Sequence, residues 1–497
     1  MSTATELSPP PSPAAAQAAG SGRWWSLVVL AMAQLMVVLD ATIVNIALPT
    51  AQADLGFSDA SRQWVVTGYA LAFGSLLLLG GRLSDFFGRK RMFLIGLVGF
   101  ALASALGGAA NGFEMLIVAR ILQGAFGAAL APAALSLLST TFTNPTDRGK
   151  AFGIFGAISG AGGAVGLLLG GVLTEYASWR WCLYVNLVIA AIAVVGALMK
   201  LQDEKITDRA KIDVPGAVTA IVGLVGLVYG LGKAETDGWS AAATLTPIIV
   251  GVVVLVAFVL IELRVPHPLL PLRVVLDRNR GGSYASIGIA GAGMFGIFLF
   301  LTYYLVGFLG FTPIQTGLAF LPMLGAIMLS ATTAGSILTP KVGPRPLVPV
   351  GALIAAVGMA FLTRLDLDST YASGVLPGLL IIGLGLGMVF APTQNAATSG
   401  VEHRDAGVAS AMVNTMQQIG GSIGTALLSS FAASAATNYA TGKTPSALVE
   451  AQAQLSSYHT VFWWSCGFFL LAALVSVLIF RNGPLDVDPD APKAMAH

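Results

Sequence analysis

From Trp25 onward the chain is a succession of apolar runs, each about as long as a membrane-crossing helix and each closed by a short polar or basic break. About 20 helical residues cross ~30 Å of hydrocarbon, and no soluble core needs so many such runs. The pattern predicts fourteen spans, near Trp25–Ala47, Val65–Gly80, Met92–Ala110, Phe113–Thr140, Ala151–Leu173, Trp179–Met199, Gly216–Gly232, Thr244–Leu263, Ser283–Leu309, Gln315–Leu338, Leu347–Leu362, Val375–Ala391, Gly407–Ala432 and Val461–Phe480. Alternation with a period of two is scarce, and Gly and Ala recur inside the runs. That combination predicts helices with small packing faces rather than barrel strands, hence an all-α membrane protein.

Composition agrees with the pattern. Of 497 residues 56% are hydrophobic and 10% charged, whereas soluble domains carry roughly 25% charged residues. The net charge of +2 is spread over short loops, which argues against a nucleic-acid partner. Cys182 and Cys466 have no CxxC or His neighbour, so both read as packing residues and no metal site is expected. Residues 1–22 are rich in Pro, Ala and Ser and read as a disordered cytoplasmic tail rather than a cleaved signal, and residues 482–497 read as a second tail.

Basic residues set the orientation. Twenty of the 26 Lys and Arg fall on one side if the N-terminus is inside; Arg62, Arg180, Lys233, Arg364 and Lys443 fall outside, and Arg120 lies within a span. Cytoplasmic loops retain Lys and Arg, so both termini are expected in the cytoplasm of a multi-pass inner (cytoplasmic) membrane protein.

The ends of the chain echo each other. Gly127 with Ala131 and Pro132 matches Gly387 with Ala391 and Pro392; Leu83, Gly88 and Lys90 match Leu338, Gly343 and Arg345; Gly149 and Ala151 match Gly407 and Ala409. These matches lie 255 to 260 residues apart with the same topology. They predict two parallel six-helix halves, residues 23–200 and 281–481, and a linker, 201–280, carrying the seventh and eighth spans, with any substrate site between the halves.

Asp40 and Arg120 are the two charges well inside spans. Each costs roughly 2.5–3.5 kcal/mol at mid-membrane and calls for a partner or a wet cavity. Both lie ~10 Å below the outer surface, a depth at which they can meet. Arg120, Gln123, Gly124, Gly127 and Ala131 share one helix face. The pair reads either as a structural ion pair or as a proton-coupling site, since burial and an adjacent Arg act in opposite directions on an Asp's hold on a proton. Glu175 and Glu262 stand at span ends.

In the loop GGRLSDFFGRKR, Gly81 and Gly88 permit a sharp turn, Asp85 caps a helix or pairs with a base, and Arg89, Lys90 and Arg91 hold the loop inside. A plain basic turn needs no Asp and no fixed glycines, so this loop reads as a gate latch. Gly162, Gly166 and Gly170 form GxxxG twice over, followed by Gly171, for tight packing or for a bend or sealing surface. Asn414, Gln417 and Gln418 stripe the thirteenth span and Gln394 ends the twelfth; they line a cavity or bridge helices. Asn45, Gln123 and Tyr303 complete the candidate cavity set.

With these residues assembled, the chain resembles the major facilitator superfamily, and within it the fourteen-span drug:proton antiporters. LDATIVNIALP, Leu39–Pro49, is similar to that family's first-span signature, with Asp40 at its acidic position; GRLSDFFGRKR is similar to its loop motif, and Arg120 with Gln123 and Gly124 to its fourth-span motif. Gly162–Gly171 resembles the antiporter motif, with Leu167 where the family has Pro. The resemblance implies a major facilitator fold of two six-helix halves plus two central helices, and a role for Arg120 in proton transfer.

The function expected is proton-coupled efflux of small lipophilic drugs. The alternatives are export of one dedicated metabolite or lipid, and nutrient import on the same fold. HExxH and GxxxxGK[ST] are absent and no cluster of His and carboxylates suggests a reaction centre, so neither an enzyme nor an ATP-driven pump is indicated. The proton gradient is then the energy source without any cofactor, the partners are lipid, protons and a neutral or monocationic substrate, and a monomer is expected to suffice.

Overall fold

The computed structural model describes residues 13–142, 145–201, 213–266, 268–401 and 406–485. Residues 1–12 of the expected first tail, 486–497 of the second, and Lys205, Arg209, Lys211 and Arg404 lie outside the described residues. Among those described, every regular element is a helix: α1 Pro13–Leu55, α2 Asp59–Phe87, α3 Arg89–Gly108, α4 Phe113–Thr141, α5 Pro145–Tyr176, α6 Trp181–Lys200, α7 Val214–Asp237, α8 Ala242–Glu262, α9 Leu272–Val275, α10 Arg278–Gly307, α11 Pro313–Thr332, α12 Thr339–Val342, α13 Pro344–Leu362, α14 Leu376–Thr398, α15 Ala406–Ala440 and α16 Ala447–Ile479. A π-helical turn, Thr333–Leu338, joins α11 to α12, and another, Tyr371–Val375, opens α14. Among the described residues thirteen helical stretches are long and apolar enough to cross a membrane. The fifth predicted span falls on the 32-residue α5, of which Val165–Tyr176 stands as a shorter apolar helix.

The sequence repeat is visible in the packing. In the first half α4 lies against α2 and α3, α1 against α5 and α6, and α3 against α6. In the second, α14 lies against α11 and α13, α10 against α15 and α16, and α13 against α16. The partner order is the same, so one six-helix plan is used twice. Gly88 and Gly343, paired by the repeat, both hold positive φ (97° and 74°), a turn that a side chain with a Cβ resists.

The two central helices are not a loose linker. α7 packs on α8 through Gly223, Gly226, Gly230 and Gly251, where backbone meets backbone, and it also lies against both α2 and α15. Near one end Tyr229 meets Trp64 at 5.9 Å and Trp239 stacks on Phe431 at 5.9 Å. Near the other, Ala220 of α7 and Phe258 of α8 join Ala409, Met412 and Val413 of α15 in one apolar cluster with Leu78 of α2 against it. The hairpin therefore covers one seam between the halves. The outer side of α8 leaves Ile249, Val252, Val253 and Val256 exposed, an apolar surface that lipid and not water would cover.

Two faces follow. At the one where α1 begins and α16 ends, Lys90 Nζ donates to the Leu201 carbonyl (2.6 Å) and Arg278 donates to the carbonyls of Leu478 and Ile479. At the opposite face the halves clasp: the Tyr303 hydroxyl donates to Gln52 Oε1 (2.5 Å), Arg62 lies 4.1 Å over the Tyr303 ring, and Ile314 N donates to Glu175 Oε2 (3.2 Å).

Candidate functional site

Asp40 is fully buried and Arg120 nearly so. Arg120 Nη1 donates to Asp40 Oδ2 at 2.6 Å, so the equal depths expected from sequence do bring the two together. The opposite carboxylate oxygen, Oδ1, accepts from Gln123 Nε2 and from Asn186 Nδ2, both at 2.8 Å. Ser104 Oγ receives the same two amides at 3.0 and 2.9 Å and donates to the Leu183 carbonyl at 2.7 Å. Helices α1, α3, α4 and α6 thus converge on one carboxylate, and every bond to it comes from a donor, which is what makes a buried charge tolerable.

Arg120 is anchored independently of the acid. Its Nε donates to the Val65 carbonyl (3.2 Å), Nη1 also reaches Gln123 Oε1 (2.9 Å), and the guanidinium lies 4.3 Å over the Tyr69 ring. These contacts, to α2 and within α4 itself, hold Arg120 in place apart from its bond to Asp40. The Asn186 carbonyl oxygen is buried with no partner. Turning that amide over would present an acceptor to a protonated Asp40, a rearrangement available to an amide and to no apolar residue.

Asn186 and Ser104 were not among the sequence candidates. The signal for Asn186 was present: it is the single amide in the apolar run Trp181–Lys200. Ser104 gave none, because an isolated Ser is common in membrane helices. Gln123, expected on a cavity wall, is buried in this cluster. Next to Arg120, a space of about 10 Å³ lined by Val44, Leu48, Val65 and Trp179 has room for about one water and none for a drug.

The loop residues occupy the α2–α3 turn. Gly81 faces Pro132 of α4, Gly88 makes the turn, Arg89 opens α3 and Lys90 is tied to the end of α6. The Asp85 side chain lies outside the described residues. Gly162, Gly166 and Gly170 all face α1, at Val38, Thr42 and Ile43, the stretch that carries Asp40, and Gly171 meets Ile314 of α11 in the other half. Tight packing is the observed use of the first three.

The remaining cavity candidates are dispersed. Asn45 is buried and donates to Ala41 of its own helix (3.2 Å). Tyr303 belongs to the clasp. Gln418 lies against Gly74 of α2 and Gln417 against Gly291 of α10, both at helix contacts. Gln394 and Asn414 are exposed.

The family model described as Major Facilitator Superfamily matches residues 30–425. The puromycin resistance protein pur8 of Streptomyces alboniger is 47% identical over 492 residues, covering 97% of each chain. The cephamycin export protein CmcT of Amycolatopsis lactamdurans is 39% identical over 81% of this chain and 84% of its own. The lincomycin resistance protein of Streptomyces lincolnensis is 33% identical over 83% and 85%. Among solved structures, an autoinhibited POT family peptide transporter superposes with a TM-score of 0.67 at 16% identity, covering 94% of this chain and 98% of that one, a likeness of fold alone.

Proposed function

This chain belongs to the major facilitator superfamily, and from that premise we propose that it exports antibiotic-like lipophilic molecules across the cytoplasmic membrane in exchange for protons. The observation that carries the reading is the buried Asp40 carboxylate, held by Arg120, Gln123 and Asn186 in the half of the protein that the antiporter glycines pack. A structural ion pair would need no spare acceptor such as the unpartnered Asn186 Oδ1, whereas a residue that alternates between charged and neutral needs partners for both forms.

Export then proceeds by alternating access. The clasp at Gln52, Tyr303, Glu175 and Ile314 ties the two halves at one face, so in this conformation access is assigned to the face where the termini lie, the cytoplasmic one on the bias of its basic loops. Protonation of Asp40 weakens the tie from α1 to α4, and α5, seated on α1 through its glycines and on α11 through Gly171, carries that change to the clasp. The gradient supplies the energy, with no nucleotide and no cofactor, and one monomer contains the whole site.

The similarity to resistance and export proteins for puromycin, cephamycin and lincomycin supports export over nutrient import. Asp40 is the one carboxylate deep in a described span, and Arg120 already opposes it, so a dication would enter with no free counter-charge. Neutral and monocationic substrates avoid that cost. Inverted vesicles with an imposed pH gradient test the proposal. Puromycin and matched monovalent and bivalent dyes should separate into transported and poorly transported sets, and failure to transport any of them against a gradient would defeat it.

A further inference from the structure

A second pair of carboxyl groups lies outside the Asp40 site, where α7 begins and α8 ends. Asp213 and Glu262 are 5% and 4% exposed. One oxygen of each has a fixed partner: Asp213 Oδ1 accepts from Gly216 N, and Glu262 Oε2 accepts from Leu270 N, both at 2.9 Å. The other two, Asp213 Oδ2 and Glu262 Oε1, are buried with no donor. Both crowd the same missing side chain of Gly216, 2.3 and 2.7 Å from where its Cβ would stand, so the two carboxyl groups face one another at the start of α7. A buried carboxylate oxygen without a donor is costly, and two facing each other repel. A single proton between them supplies the missing donor and removes half the charge. Among the described residues, the groups acting on Glu262 are the Asp213 carboxyl and the backbone N–H groups of Leu269 and Leu270, with no cation among them. Arg82, the nearby base at the gating loop, donates its Nη2 to the Pro268 carbonyl at 2.7 Å instead.

We propose that Asp213 and Glu262 form a second proton-binding site, which holds one proton between Asp213 Oδ2 and Glu262 Oε1 at the face where the termini lie. The bound proton pins the start of α7 to the end of α8 and to the 268–271 segment, and through Arg82 and Pro268 it joins the central hairpin to the gating end of α2. Losing it places two carboxylates in contact and loosens this junction. The site therefore responds to protons on the side opposite the clasp, independently of Asp40.

Purified Asp40→Asn protein, which lacks the other buried acid of the described residues, should show at neutral pH, where ordinary surface carboxylates are charged, a protonated-carboxyl C=O band in the infrared that disappears as the pH is raised. Adding Glu262→Gln or Asp213→Asn should abolish that titrating band. The amide that either substitution introduces donates where the proton did, and should flatten the fall in thermal midpoint with rising pH. Absence of the band in the Asp40→Asn protein overturns the proposal whether or not the second variants fold. So does its persistence in both double variants. A saturable rise in the alkaline thermal midpoint on adding sodium or calcium would also overturn it, by showing a cation site in place of a proton site.

Discussion

At the scale of the residue, Arg120 is asked for both charge and shape. Its planar fork bonds Asp40 and Gln123 from one nitrogen and Val65 from another while its face covers Tyr69. Lys keeps the charge but has no fork. Arg120→Lys should retain a fraction of gradient-driven export and Arg120→Ala none, with both proteins inserted; equal loss in vesicle assays would show that geometry alone matters. Asn186→Leu removes a donor to the buried carboxylate and should cost about 1–3 kcal/mol of stability as well as transport. An unchanged thermal midpoint would show that Asp40 finds another donor. The depth of the Asp40 and Arg120 pair was legible in the sequence because charge in an apolar run is conspicuous and helical rise converts position to depth. Ser104 was not, since its importance exists only after α3, α4 and α6 converge.

At the scale of the element, the fifth helix is seated by what it lacks. Any side chain at Gly166 would collide with Thr42 and the Leu39 carbonyl, one residue from Asp40. Gly166→Leu should destabilise by about 1–3 kcal/mol or more through overpacking, and more than Leu167→Pro, even though Leu167 is itself buried. The reverse order of thermal midpoints would contradict this packing account. The GxxxG spacing predicted a tight face; which helix it met could not be read, because spacing names a face and not its neighbour. Gly88→Val, at φ 97° and ψ 134°, should strain the α2–α3 turn by about 1–3 kcal/mol and slow transport while leaving substrate affinity in place. Parallel loss of affinity in equilibrium binding would place the loop in the binding site instead. The amide stripe of α15 was read as cavity lining or helix bridging, and its contacts at Gly74 and Gly291 show Gln418 and Gln417 at helix junctions.

At the scale of the molecule, the repeat carried most of the fold: motifs 255 to 260 residues apart recovered two halves whose helices have matching partners. The place of α7 and α8 was illegible, because they have no counterpart in the repeat and are apolar on nearly every face. With that hairpin over the α2–α15 seam, the opposite seam, where α5 meets α11, has no such cover among the described residues, and the proposed alternating access assigns opening and closing to it. There Gly317 approaches the Leu167 carbonyl so closely that a Cβ would sit 2.5 Å from it. Gly317→Leu should pry this contact apart, favour the state open at the clasp face, and raise labelling of a cysteine placed at Tyr303 by at least severalfold. Unaltered labelling would mean the seam does not set the conformation.

The most direct measurement of the proposed proton-driven export is accumulation, in proteoliposomes holding the purified protein and driven by an imposed pH gradient, of a substrate that the vesicle panel identifies, with substrate exchange at equal pH measured alongside. Wild-type protein should accumulate that substrate and lose it on collapse of the gradient. Asp40→Asn, neutral and nearly isosteric, should exchange substrate yet fail to accumulate it. Accumulation by Asp40→Asn at the wild-type rate would contradict the account.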